Sequence, residues 1–176
     1  MDYFIHLMSI SGIFIILSLS LNLINGTCGQ FSLGHAGFWA TGAYISGAYA
    51  VYFAPSFLPN EVNLLIGIIL AMGGSILLGL LVGVPCLRLR GDYLAIATLG
   101  LGEIVRIAII NIDSIGGPRG FTDIPKWSNI GLIYLAVALT FILLRNLTYS
   151  SIGRAITSIR EDEIAAESLG INLFKY

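Results

Sequence analysis

Long apolar runs separated by short polar stretches set the pattern of this chain. A helix that crosses a bilayer needs about 20 mostly apolar residues. Five stretches approach that length: Phe4 to Ile24, Phe38 to Phe53, Val62 to Val84, Tyr93 to Ile112 and Ile130 to Leu144. The third is the least interrupted. A polar, glycine-rich stretch precedes the second, and the fourth carries Glu103 and Arg106. The fifth is short unless Trp127 and Ser128 extend it, and Trp127 suits a membrane-interface position. The pattern predicts an all-α polytopic transmembrane helix bundle of about five spans, one transmembrane domain over 1–176. From Gly153 onward the rhythm changes. Ala155, Ile156, Ile159, Ile164, Ala165, Ser168 and Leu169 fall at helical spacing. Glu161, Asp162 and Glu163 suit the first turn of a second short helix, and Gly170 suits the position just past its end. Residues 153–172 therefore predict a small amphipathic helix pair outside the bilayer.

Composition strengthens the membrane reading. Of 176 residues, 56% are hydrophobic and 11% are charged, against about 25% charged in soluble domains. Mean hydropathy is +0.88. No Lys or Arg occurs before Arg88. Arg88 and Arg90 lie between the third and fourth runs, and Arg145, Arg154 and Arg160 lie at or beyond the end of the fifth. Cations favour the cytoplasmic side, so alternation places the N-terminus outside and the charged tail inside. The N-terminus carries Asp2 rather than a basic region, and its apolar run is too long for a cleaved signal, so it reads as a retained span. After Gly170, "INLFKY" reads as the entry to a further apolar helix, which predicts a fold that continues beyond this chain.

Small residues recur at helix-packing spacing. Gly79 and Gly83 form one pair, Ala43 and Gly47 another, and Gly73 and Gly74 smooth the third span; such pairs let helices approach closely in lipid. Cys28 and Cys86 have no partner spacing and read as small apolar packing residues.

Three stretches carry candidate chemistry. Ile24 to Tyr44 is polar and glycine-rich between two apolar runs. It reads either as a short loop or as irregular backbone along a substrate pathway. Gln30, Ser32 and His35 are the pathway candidates, although a lone histidine is more often a hydrogen-bonded packing residue. In the fourth span Asp92 suits the N-cap, and Glu103 and Arg106, three apart, share a face and form an intramembrane ion pair. That pair reads either as a structural bridge or as part of a functional site. Gly116-Gly117-Pro118 marks a tight turn in the loop Ser114 to Pro125. The amphipathic pair at the end has few cations for a helix resting on a membrane surface, so docking to a protein groove is favoured. No phosphate-binding loop, nucleophile–base pair or metal cluster stands out. The expectation is a non-enzyme without cofactors, in contact with lipid and not with nucleic acid.

Four ordered blocks, "LSLNLINGTCGQFSLGHAGFWATGAY", "LRLRGDYLAIATLGLGEIVRI", "GGPRGFT" and "GRAITSIREDEIAAESLGIN", resemble the permease subunits of branched-chain amino acid ABC importers of the LivM type. The resemblance implies an inner-membrane transport protein that works with a second permease, two cytoplasmic ATPase subunits and an extracytoplasmic substrate-binding protein. It also implies that the last block docks into the ATPase. Glu163, Ala165, Ala166, Glu167 and Gly170 would be contact or helix-shape positions, with Arg154, Arg160 and Glu161 in the same segment. Related permeases handle urea and short amides as well as apolar amino acids. Two other readings stay open at this point. One is an ion-coupled secondary transporter using Glu103, Arg106 and His35. The other is a non-transporting scaffold fragment, since members of the family continue with further spans.

Overall fold

A computed structural model describes residues 2–86, 89 and 91–173 of the chain. Arg88 and Arg90, and the last three residues of the apolar "INLFKY" stretch, lie outside the described residues. The order of elements is α1 (Asp2–Asn22), α2 (His35–Ala48), α3 (Asn60–Cys86), α4 (Asp92–Ile110), α5 (Ile130–Tyr149), α6 (Ser151–Glu161) and α7 (Glu163–Ser168). Two π-helical turns, Leu23–Thr27 and Tyr49–Phe53, continue α1 and α2. Two short 3₁₀ turns, Asp113–Ile115 and Gly117–Arg119, follow α4. There is no strand among the described residues, and the chain is all-α as expected.

Four helical stretches are long and apolar enough to cross a membrane: Tyr3–Thr27, Asn60–Gly83, Asp92–Ile110 and Ile130–Tyr149. The sequence pattern predicted about five. The remaining stretch, Phe38 to Phe53, has only the 14 α-helical residues of α2 and gains the rest of its length from the π-turn. The last span needs no help from Trp127 and Ser128, because α5 extends at its other end to Tyr149. Large apolar side chains such as Leu81, Ile104 and Leu135 face outward, while Ala95 and Ala166 are the buried hydrophobic residues among the described residues. Apolar faces turned outward along spanning helices suit lipid as the surrounding solvent. Serines within the first span are tied back to the helix backbone. Ser9 and Ser11 of α1 donate to the carbonyls of Ile5 and Leu7 at 2.8 and 2.9 Å.

The helices group into two compact units. In the first, residues 1–31 and 129–176, α1 packs on α5. Gly12 makes this possible: a Cβ there would lie 2.6 Å from Ile133 Cγ2. Tyr134 adds a hydroxyl bond to the Met8 carbonyl at 3.3 Å.

In the second unit, residues 32–128, α2 lies between α3 and α4. The α2–α3 pair is antiparallel. Phe38 meets Gly79, Gly42 meets Ser75, Ile45 meets Gly74, and Ser46 meets Gly67. Of the small residues expected at helix contacts, Gly79 and Gly74 meet α2. Gly73 and Gly83 face open space, and Gly47 packs on Phe121 and Ile124 of the later loop instead. Spacing alone says that small residues share a face, not which face meets protein. The turn between α2 and α3 is tied by Asn63, which is almost completely buried. It accepts from the Tyr49 hydroxyl at 3.1 Å and donates to the carbonyls of Pro55 and Leu58 at 3.2 and 3.4 Å.

Asp92 was expected to cap α4. It is instead the first helical residue, and Gly91, at φ 57°, precedes it in the cap position without a side-chain bond. Its carboxylate still lies in the first turn, where the helix dipole favours negative charge.

Candidate functional site

The charged segment after α5 is built from local chemistry. Ser150 ends α5 and starts α6. Its Oγ donates to the Leu147 carbonyl at 2.6 Å and accepts from the Gly153 amide at 3.2 Å. The chain turns so tightly that a Cβ on Gly153 would run into the carbonyls of Thr148 and Leu147. Arg154 closes the same corner, donating to the Tyr149 carbonyl at 2.9 Å and to Ser151 Oγ at 3.2 Å. The last four carbonyl groups of an α-helix are left without intrahelical partners, and Arg154 satisfies one of them, at Tyr149, while its charge suits the negative end of α5.

Arg160, at the far end of α6, reaches across to the π-turn after α1. Its guanidinium donates to the Gly26 carbonyl at 2.6 Å, and its aliphatic stem lies against Gly29. Gly29 has φ 69°, a conformation glycine adopts without a Cβ penalty. Arg160 also pairs with neighbouring Glu161. The two arginines therefore hold α6 within its own unit, one at each end.

The second short helix is capped at both ends. Asp162, expected in its first turn, is its N-cap and accepts from the amides of Ile164 and Ala165 at 2.9 and 3.0 Å. At the other end Gly170, at φ 83°, donates to the Glu167 carbonyl at 2.9 Å, and Ile171 donates to Ala166 at 3.1 Å. This double bond is the Schellman stop, with Gly170 at the position the sequence assigns it. Ala166 is 2% exposed and packs inward, whereas Ile164 and Leu169 are 79% and 82% exposed. Glu163 opens the helix, and Ala165 and Glu167 stand on its exposed surface. A short, well-capped helix thus presents two large apolar side chains beside a carboxylate.

The polar stretch before α2 is irregular over only seven residues, Cys28 to Gly34. Gln30 is exposed and its amide donates to the Ile24 carbonyl at 3.2 Å. Ser32 is buried, and His35 opens α2 half-buried. Leu33 is held by a partner 65 residues away: its amide donates to Thr98 Oγ1 at 3.1 Å. Thr98, buried in α4, donates in turn to the Ala95 carbonyl at 3.0 Å. Burial pushes the Cys28 thiol up from its ordinary range by desolvation, which suits a packing role.

Within the second unit, α2 and α4 run in the same direction and touch backbone to backbone. A Cβ on Gly34 would lie 2.6 Å from the Thr98 carbonyl, and one on Gly37 would lie 3.2 Å from Gly102 Cα. Beyond that contact they part around a cavity of about 530 Å³. Glu103 and Arg106 line it, paired at 3.1 Å as their spacing predicts, and more than half exposed. Arg119 joins them from the 3₁₀ turn. Gln30, Ser32 and His35 are not among its lining residues.

The family description for the permease component of branched-chain amino acid transport systems matches residues 3–176. The chain belongs to this permease family. It is similar to the high-affinity branched-chain amino acid transport system permease protein LivM of Salmonella typhimurium. The two are 37% identical over 91% of this chain and 44% of that protein. The LivM permease of Escherichia coli is 35% identical over 96% of this chain and 46% of its own length. A probable LivM permease of Methanocaldococcus jannaschii is 26% identical over 93% of this chain and 58% of its own. The chain thus spans about half the length of the curated relatives it matches. No solved structure matches it. Family membership and four apolar spanning helices make this a multi-pass membrane protein, related to transport permeases rather than to enzymes.

Thr98, Asn63 and Gly153 are the residues that sequence reasoning did not single out. Thr98 and Asn63 carry a faint signal, as isolated polar residues in otherwise apolar helices. Gly153 carries none, since a glycine near a helix start is ordinary.

Proposed function

We propose that this permease is part of an ATP-driven importer in the inner membrane and carries branched-chain or related amino acids. In this reading ATP is hydrolysed by separate cytoplasmic subunits. A second permease completes the pathway, and an extracytoplasmic binding protein delivers the substrate. In this reading α2, lengthened by its π-turn, makes a fifth crossing, which puts the N-terminus outside, and α6 and α7 form the cytoplasmic coupling segment.

One observation carries the coupling role. Ile164 stands almost fully exposed on α7, a helix capped at both ends, and Leu169 does so just past its end, while the preceding α6 is tied to its own unit through Ser150, Arg154 and Arg160. With the segment outside the bilayer in this reading, large apolar side chains displayed on a capped element are anchors for a partner groove. The acidic face beside them, with Glu163 and Glu167, selects a partner surface that carries basic groups. Because Arg160 joins α6 to the end of α1, and Ser150 joins it to α5, a push on α7 is transmitted to two spanning helices.

The test is charge reversal at Glu163 and Glu167, to Lys, in the assembled importer. The expected result is a drop of at least tenfold in co-purified ATPase, with membrane insertion unchanged. Full retention of the ATPase by the double variant would remove docking from the account.

A further inference from the structure

The cavity between α2 and α4 has the composition of a binding site, not of a packing defect. Its volume of about 530 Å³ falls within the roughly 300–1,000 Å³ of small-molecule sites. Its floor is the glycine contact at Gly37 and Gly102, which brings the two backbones together and leaves no side chain to fill the space above. Its rim is the turn Gly117–Arg119, seated by Gly117, where a Cβ would come 3.2 Å from the Ile110 carbonyl. The walls divide by chemistry. Trp39, Leu99 and Ile109 are apolar, while Glu103, Arg106 and Arg119 bring one negative and two positive charges.

A carboxylate and a guanidinium on a spanning helix cannot be turned to hydrocarbon without a large cost. Here both are more than half exposed within their unit, and both turn toward this cavity. A structural bridge would be closed off by its neighbours. This pair is left open on the side where Arg119 adds a second cation.

We infer that this cavity is a transmembrane binding site for a zwitterionic amino acid with an apolar side chain. Glu103 receives the α-ammonium group. Arg106 and Arg119 receive the α-carboxylate, and the wall of Trp39, Leu99 and Ile109 receives the side chain. The surplus of one positive charge in the lining draws the carboxylate even while Glu103 and Arg106 remain paired. The inference rests on the proposed import function for its choice of amino acid, and it deepens that reading by placing substrate in this chain.

The experiment measures saturable binding of radiolabelled L-leucine to the assembled importer in nanodiscs, without the extracytoplasmic binding protein. Two competitors test the two charges: leucinamide lacks the carboxylate and 4-methylpentanoate lacks the ammonium group. Unlabelled leucine is expected to displace the label at least tenfold better than either. Glu103→Gln is expected to weaken leucine binding about tenfold and to narrow the gap to 4-methylpentanoate. Arg119→Gln, on the rim and outside the helices, is expected to narrow the gap to leucinamide. The competitor series on the unaltered protein gives an answer even where a variant fails to insert. Absence of saturable leucine binding, or equal displacement by all three compounds, overturns the inference. ATP-driven leucine uptake into proteoliposomes is measured in parallel. Uptake without binding at this site sinks the inference and spares the import reading. Binding without uptake does the reverse.

Discussion

At the scale of single residues, the main work is done by polar groups that serve backbone atoms in an apolar setting. An unpartnered amide is costly where no water can reach it. Leu33, in the seven-residue gap before α2, meets this demand through Thr98. Replacing Thr98 by Val keeps the branched shape and removes the acceptor, leaving the Leu33 amide unsatisfied at a cost of about 1–3 kcal/mol. Thr98→Val is therefore expected to lower the thermal unfolding midpoint in detergent, and Thr98→Ser, which keeps the oxygen, to restore most of it. Equal midpoints for the two variants would show that the bond contributes nothing. Such pairs were not legible in the sequence, because partners 65 residues apart leave no local trace. Gly170 was legible for the opposite reason, and Asp162 was placed within one position of its cap role. Their bonds run to residues within five positions, so the order of residues nearly determines them.

At the scale of elements, apolar run length located the spans to within a few residues, because a bilayer imposes length on every helix that crosses it. What run length could not reveal was how a helix ends. The π-turns after α1 and α2 and the close corner between α5 and α6 depend on contacts made after folding. Gly153 is the clearest case. Any side chain there meets the carbonyls of Leu147 and Thr148, and those belong to helix backbone that has little room to move. Overpacking of this kind costs typically 1–3 kcal/mol. Gly153→Ala is expected to break the corner by opening the first turn of α6 while leaving α5 intact. Limited trypsin digestion reads this out directly, since Arg154 sits in that turn and is held by Tyr149 and Ser151. Cleavage after Arg154 should quicken about tenfold in the variant. An unchanged cleavage rate would mean that the corner adapts without loss.

At the scale of the whole molecule, the distribution of cations supports the proposed orientation of the chain in the membrane. Five arginines, Arg88, Arg90, Arg145, Arg154 and Arg160, belong to the segments that alternation puts on one side, against Arg119 and Lys126 on the other. Cations near span ends are retained on the cytoplasmic side, and the acidic residues between them count for little. With 20 residues, α5 is about 30 Å long, which matches the hydrocarbon thickness. Its two ends must then emerge on opposite faces. A cysteine placed at Thr122, in the exposed loop before α5, is expected to react with a membrane-impermeant maleimide in right-side-out vesicles. A cysteine at Ser151, in the exposed first turn of α6, is expected to react only after the vesicles are opened. Both are made in a background lacking Cys28 and Cys86. The pattern bears on more than orientation. An ATPase can meet Ile164 and Leu169 only if Ser151 is cytoplasmic, and a substrate delivered from outside reaches the rim at Arg119 only if Thr122 is external. Labelling of Ser151→Cys in sealed vesicles would therefore take away both the coupling segment and the outward-facing site at once.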